Sequence, residues 1–197
     1  CYFECSKRRK MEKNRIRAGI GAGAIAEIAF DCLYLLFVII VGIYLISKAE
    51  GENVVVLYGA MALTLGFGDA FHLVPRIYGK AKGLMDNQPE YLVKALGFGK
   101  LVTSITMTGF YVILVYVACY VYDYALTNTI AAVVWSLASV RVVLCLMPEN
   151  RWLTRNPSKA WGIYRNVSFL LLGLTVLFLY KISPNGSFNL MWVAIMV

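Results

Sequence analysis

The chain has 197 residues, 60% of them hydrophobic and only 15% charged, with a mean hydropathy of +0.68. A soluble domain of this size runs nearer half apolar and a quarter charged, so these side chains cannot clothe a water-facing globule. A soluble enzyme, a disordered tail and a secreted disulfide scaffold are excluded, and a polytopic membrane protein is left. The net charge of +8, from 19 Lys+Arg against 11 Asp+Glu, sits in the short segments between apolar runs. That distribution signals topology rather than a nucleic-acid surface.

In chain order, residues 1–22 form a basic N-terminal segment. Residues 23–197 are expected to form a single transmembrane helical domain, continuing past Val197. The chain begins with Cys1, and Met11 followed by Glu-Lys-Asn-Arg-Ile-Arg reads as a natural start. The first span is predicted over Gly23–Ile46 and the second over Val54–Val74, stopped by Pro75, which lacks the N–H a helix interior needs. The third is predicted over Leu101–Tyr122. Asp123 and Tyr124 turn the chain into a fourth over Ala125–Met147, ended by Pro148. The fifth covers Ile163–Ile182, and Ser183-Pro184-Asn185-Gly186 is a turn. A sixth begins at Phe188. Its ten residues would cover about 15 Å as a helix, half of a bilayer core. The expected fold is therefore all-α, a transmembrane bundle of five full spans plus a truncated sixth. Runs of twenty apolar residues without period-two alternation are not barrel strands.

Lys and Arg divide unequally between the two sides of these spans. Residues 1–22 carry seven. The loop after the second span, with its run into the third, carries Arg76, Lys80, Lys82, Lys94 and Lys100. The stretch around the fourth-to-fifth connection carries Arg141, Arg151, Arg155, Lys159 and Arg165. Only Lys48 and Lys181 fall on the other side. The positive-inside rule then predicts a cytoplasmic N-terminus, in an inner or plasma membrane. The connecting loops are too short for a separate soluble domain. The five cysteines show no metal spacing and read as small buried hydrophobes.

An ionisable residue inside a span costs about 2.5–3.5 kcal/mol on insertion scales and marks a functional site by default. Here these are Glu27 and Asp31 in the first span, Asp69 and His72 in the second, and Arg141 in the fourth. All fall in the half nearest the basic loops. Glu27 and Asp31 are spaced i,i+4 and Asp69 and His72 i,i+3, so each pair shares a helix face. One polar pocket built from three carboxylates, the chain's single imidazole and a guanidinium is the expectation. Asp69 would act as base or acid, His72 as its partner, Asp31 and Glu27 as further carboxylates, and Arg141 as an anion clamp. Arg165 and Asn166, in an ordered inner loop with Trp152 and Trp161, would meet a lipid headgroup.

Such a set suits acid–base hydrolysis, in which one carboxyl donates a proton while its partner activates water. It also suits a divalent ion held by carboxylates and one His, or a proton relay. In the structural alternative the charges only pair, for example Asp31 or Asp69 with Arg141. Leu65-Gly66-Phe67-Gly68 recurs as Leu96-Gly97-Phe98-Gly99, which reads as chance in a Gly/Leu/Phe-rich chain rather than as the echo of an internal duplication.

At Leu65–Arg76, LGFGDAFHLVPR, the Gly68-Asp69 dipeptide near the inner end of an early span resembles the bacterial lysoplasmalogenase family. That resemblance implies a multi-spanning enzyme that hydrolyses the vinyl ether of a lysolipid, with Asp69 in its active site. The longer pattern Gly68-Asp69-x-Phe71-His72-x-x-Pro75-Arg76 is similar to a group of bacterial integral membrane proteins and implies no activity. The leading expectation is a lipid-active hydrolase working at the inner leaflet, with no resident cofactor, membrane lipids as its partners and no nucleic acid. The alternatives are a small proton-coupled transporter and a non-catalytic membrane protein.

Overall fold

The structure, a computed structural model, describes residues 22–121 and 128–181, and it is helical throughout these apart from short connections. Five helices follow in order: α1 (Ala22–Ser47), α2 (Asn53–Ala81), α3 (Glu90–Val121), α4 (Asn128–Leu146) and α5 (Lys159–Lys181). A single 3₁₀ turn, Pro148–Asn150, follows α4. Each of the five helices is long and apolar enough to cross a membrane, and the chain is a multi-pass membrane protein. The basic segment before Ala22 and the sixth span lie outside the described residues.

α1 packs along α2, α2 packs on α1 and α3, and α3 touches α2, α4 and α5. The apolar core gathers round α3. Leu114, Val115, Val117 and Ala118 meet Val134 and Ala138 of α4 and Leu172, Val176 and Leu179 of α5. Tyr180 donates a hydrogen bond to the Leu114 carbonyl at 2.9 Å and so closes the polar end of its ring inside that core. On the outside, Phe30, Leu33, Phe37 and Ile40 of α1 are exposed, as the face of a helix solvated by lipid should be. Cys32 lies on this exposed surface rather than in the core, whereas Cys145 is buried.

Two span ends differ from the expectation. α2 does not stop before Pro75 but runs through it to Ala81. α3 starts at Glu90, eleven residues before the predicted span. At 1.5 Å per residue, the 29 residues of α2 reach about 43 Å and the 32 of α3 about 48 Å, both beyond a ~30 Å hydrocarbon core. Hydropathy sees the part in lipid; the helices continue as a hairpin past it. Pro75 is tolerated because a neighbour covers the defect. Its missing N–H frees the carbonyl of Phe71, four residues back. Gly99 of α3 sits directly against that carbonyl and against His72 Cα, where any side chain would collide.

Candidate functional site

The sequence-predicted residues fall into three environments. The first is the antiparallel α1–α2 interface. Glu27 forms ion pairs with both Arg76 and Lys80. One turn along, Asp31 is 7% exposed, and its Oδ2 is buried without a hydrogen-bond partner. A further turn on, the Tyr34 hydroxyl donates to Asp69 Oδ2 at 2.7 Å. Glu27, Asp31 and Tyr34 recur on one face of α1, and their contacts with Arg76 and Asp69 set the register. Asp31 therefore sits opposite the turn of α2 that separates those two residues. The helices come this close because Gly66 lies against Val38, and Gly42 and Gly59 face each other.

The second environment lies around the next face of α2. Gly68 packs on Thr106, and Thr103 Oγ1 donates to the Gly68 carbonyl at 2.9 Å, which holds α2 to α3. His72 follows Asp69 by one turn and is half-buried, its Nδ1 without a hydrogen-bond partner. It lies in the wall of a cavity of about 760 Å³ at the projecting ends of the helices. Arg76 and Lys80 continue that wall on α2, Leu96, Gly97 and Lys100 form it on α3, and Trp152, Arg155, Lys159 and Arg165 close it from the α4–α5 connection and α5.

The connection is built rather than slack. Asn150 is fully buried, and its Nδ2 donates to the carbonyls of Leu144 at 2.7 Å and Met147 at 2.8 Å, taking up acceptors that the end of α4 leaves free. Trp152 Nε1 donates to the Cys145 carbonyl at 2.8 Å. Asn150 Oδ1 accepts from Arg165, whose guanidinium lies 3.9 Å above the Trp152 ring. The Trp152 carbonyl in turn rests on Gly97, where no Cβ would fit. An Asn, a Trp and a Gly thus fix one arginine at the cavity's edge.

The third environment holds Arg141, 5% exposed among α3, α4 and α5. Its Nε donates to Thr108 Oγ1 at 2.8 Å, its Nη1 to the Arg165 carbonyl at 3.0 Å, and its guanidinium lies 3.8 Å from the centre of the Phe169 ring. Neither Asp31 nor Asp69 pairs with it, and it does not line the cavity. Asn166 is exposed on α5 and is also not part of the cavity wall.

Of the residues singled out from sequence, Glu27, Asp31 and Asp69 thus share the α1–α2 interface, His72 and Arg165 share the cavity, and Arg141 and Asn166 lie apart. Glu27 reaches the cavity through its two cationic partners. Among the described residues, no three His, Cys, Asp or Glu side chains gather closely enough to hold a metal ion. The sequence reading passed over Tyr34, although it lies on the same helical face as Asp31. Lys80, Arg155 and Lys159 carried only a topological signal in the sequence. Asn150 carried no signal beyond the order expected of its segment. In comparisons with known proteins, the chain matches no family model, no curated protein and no solved structure.

Proposed function

We propose that this membrane protein is a lipid-active hydrolase whose working surface is the cavity beside His72, facing the cytoplasm. The observation that carries the reading is the position of the chain's single histidine. It lines a cavity at the end of the bundle where the basic loops cluster, with the hydrogen-bonded Tyr34–Asp69 pair one helical turn behind it. An imidazole at such a wall takes a proton from an attacking water and returns it to the leaving group. Asp69, restrained by Tyr34, supplies a negative charge near the imidazolium that forms. The likeness of Gly68-Asp69 to the lysoplasmalogenase pattern supports the same reading, and Gly68 is the residue that lets α3 close on this turn. The charge asymmetry supports a cytoplasmic N-terminus, which side-selective labelling of Lys159→Cys in intact cells tests.

The activity test is release of a water-soluble product from micelles of lysolipids carrying ester or vinyl-ether chains. The native chain turns over, and His72→Gln lowers the rate at least a hundredfold, in line with about 10²–10⁴ for one acid–base group. One observation favours a second reading. The unpartnered carboxylate oxygen of Asp31, between Glu27 and Asp69 on one interface, is the ladder a proton-coupled transporter needs. That reading demands a sealed vesicle and a proton gradient, and gives no product in micelles.

A further inference from the structure

We infer that the cavity beside His72 is a site for a phosphate monoester group, held by Lys100, Arg155, Lys159 and Arg165. This rests on the reading of a lipid-active site and names its substrate class.

Six cationic side chains line the cavity: Arg76, Lys80, Lys100, Arg155, Lys159 and Arg165. Glu27 engages the first two. The other four form no ion pair among the described residues. Among the described residues, Asp86 is the one carboxylate in the wall. The positive-inside rule asks only that cations lie on one side of the membrane. It does not ask that residues from α3, the α4–α5 connection and α5 converge on one volume, where they repel one another.

The convergence is also held in place. Arg165 is seated by Asn150 and Trp152, and Arg155 Nη2 donates to the Gln88 carbonyl at 2.7 Å, tying the covering segment to the α2–α3 connection. Lys100 and Lys159 remain exposed. A phosphate monoester brings close to two negative charges and three acceptor oxygens, which suit ammonium and guanidinium donors together. A choline or ethanolamine headgroup would carry its own cation into a ring of cations. The volume of about 760 Å³ falls within the range of ligand sites, about 300–1,000 Å³.

The test uses the full chain in detergent, followed by intrinsic tryptophan fluorescence, to which Trp152 in the cavity wall contributes. The probes are dihexanoyl phosphatidic acid, dihexanoyl phosphatidylcholine and inorganic phosphate. Saturable binding of the phosphatidic acid is expected, at least tenfold tighter than the phosphatidylcholine and weakened by salt. The double variant Lys100→Gln/Lys159→Gln, altered only at exposed positions, should lose at least tenfold.

Inorganic phosphate binding as tightly, with the same loss in the variant, keeps the phosphate site and assigns it to a soluble phosphate compound. Equal affinity for both lipids, or a double variant that binds like the native chain, overturns the inference. Phosphatidic acid bound without turnover of any lysolipid overturns the hydrolase reading alone. Turnover of a neutral-headgroup lipid by a chain that does not bind phosphatidic acid overturns this inference alone.

Discussion

Arg141 and Arg165 stand on neighbouring helices, joined by a hydrogen bond from one guanidinium to the other's carbonyl, yet they belong to different kinds of region. Around Arg141 every contact closes inward: a threonine hydroxyl, a carbonyl and an aromatic face, with 5% of the residue exposed. Around Arg165 the seat is equally specific, but it borders open volume shared with three other cations that form no ion pair among the described residues. A buried charge is therefore not a site by virtue of its depth. Where its donors are used up by the fold, as at Arg141, it cements helices; only where such groups border open volume, as at Arg165, does the geometry leave room for a ligand.

The sharpest way to break this contrast is Arg141→Met. It leaves the Thr108 hydroxyl and the Arg165 carbonyl without their donor in a buried junction, at a cost of about 2–4 kcal/mol. Thermal unfolding should fall accordingly, while turnover per folded molecule stays within twofold. Next, Gly99→Leu drives a side chain into the Phe71 carbonyl, an overpacking worth about 1–3 kcal/mol, and parts α2 from α3 beside His72. Stability and turnover should fall together.

Asn150→Ala sits between the two regions. It removes the donors that cover the end of α4 and the acceptor that seats Arg165, each worth about 0.5–1.5 kcal/mol. Unfolding measurements should show that loss, and binding of dihexanoyl phosphatidic acid should weaken severalfold. The smallest effect is expected from Tyr34→Phe, which deletes one hydrogen bond to Asp69, worth about 0.5–1.5 kcal/mol. It should lower turnover less than tenfold and leave headgroup binding unchanged.

The five apolar runs were plain in the sequence because about twenty consecutive apolar residues are what a helix needs to cross a bilayer core. Pro75 misled because its effect depends on a partner the local sequence does not contain, the backbone of Gly99 on the next helix, which sits against the Phe71 carbonyl. The twin Leu-Gly-Phe-Gly motifs read as chance because the chain is rich in these residues. In each motif the two glycines point to opposite sides of a helix, Gly66 to α1 and Gly68 to α3, Gly97 to Trp152 and Gly99 to α2. Such a motif becomes meaningful only once both neighbours are known. The depth of the carboxylates could be read from their place along each run, and Asp31 does lie on the face of α1 that packs on α2. Which of them meet Arg141 could not, since α4 and α5 gather on the far side of α3. Apart from Arg165, the cations of the cavity wall were visible but mute, because convergence in space leaves no mark on spacing along the chain.

The most direct measurement sets His72→Gln beside Arg141→Met in one assay, product release from lysolipid micelles per folded molecule, with thermal unfolding recorded for both. The account predicts that His72→Gln unfolds like the native chain and is at least a hundredfold slower, while Arg141→Met is less stable and turns over normally. A His72→Gln chain that releases product at the native rate would contradict it.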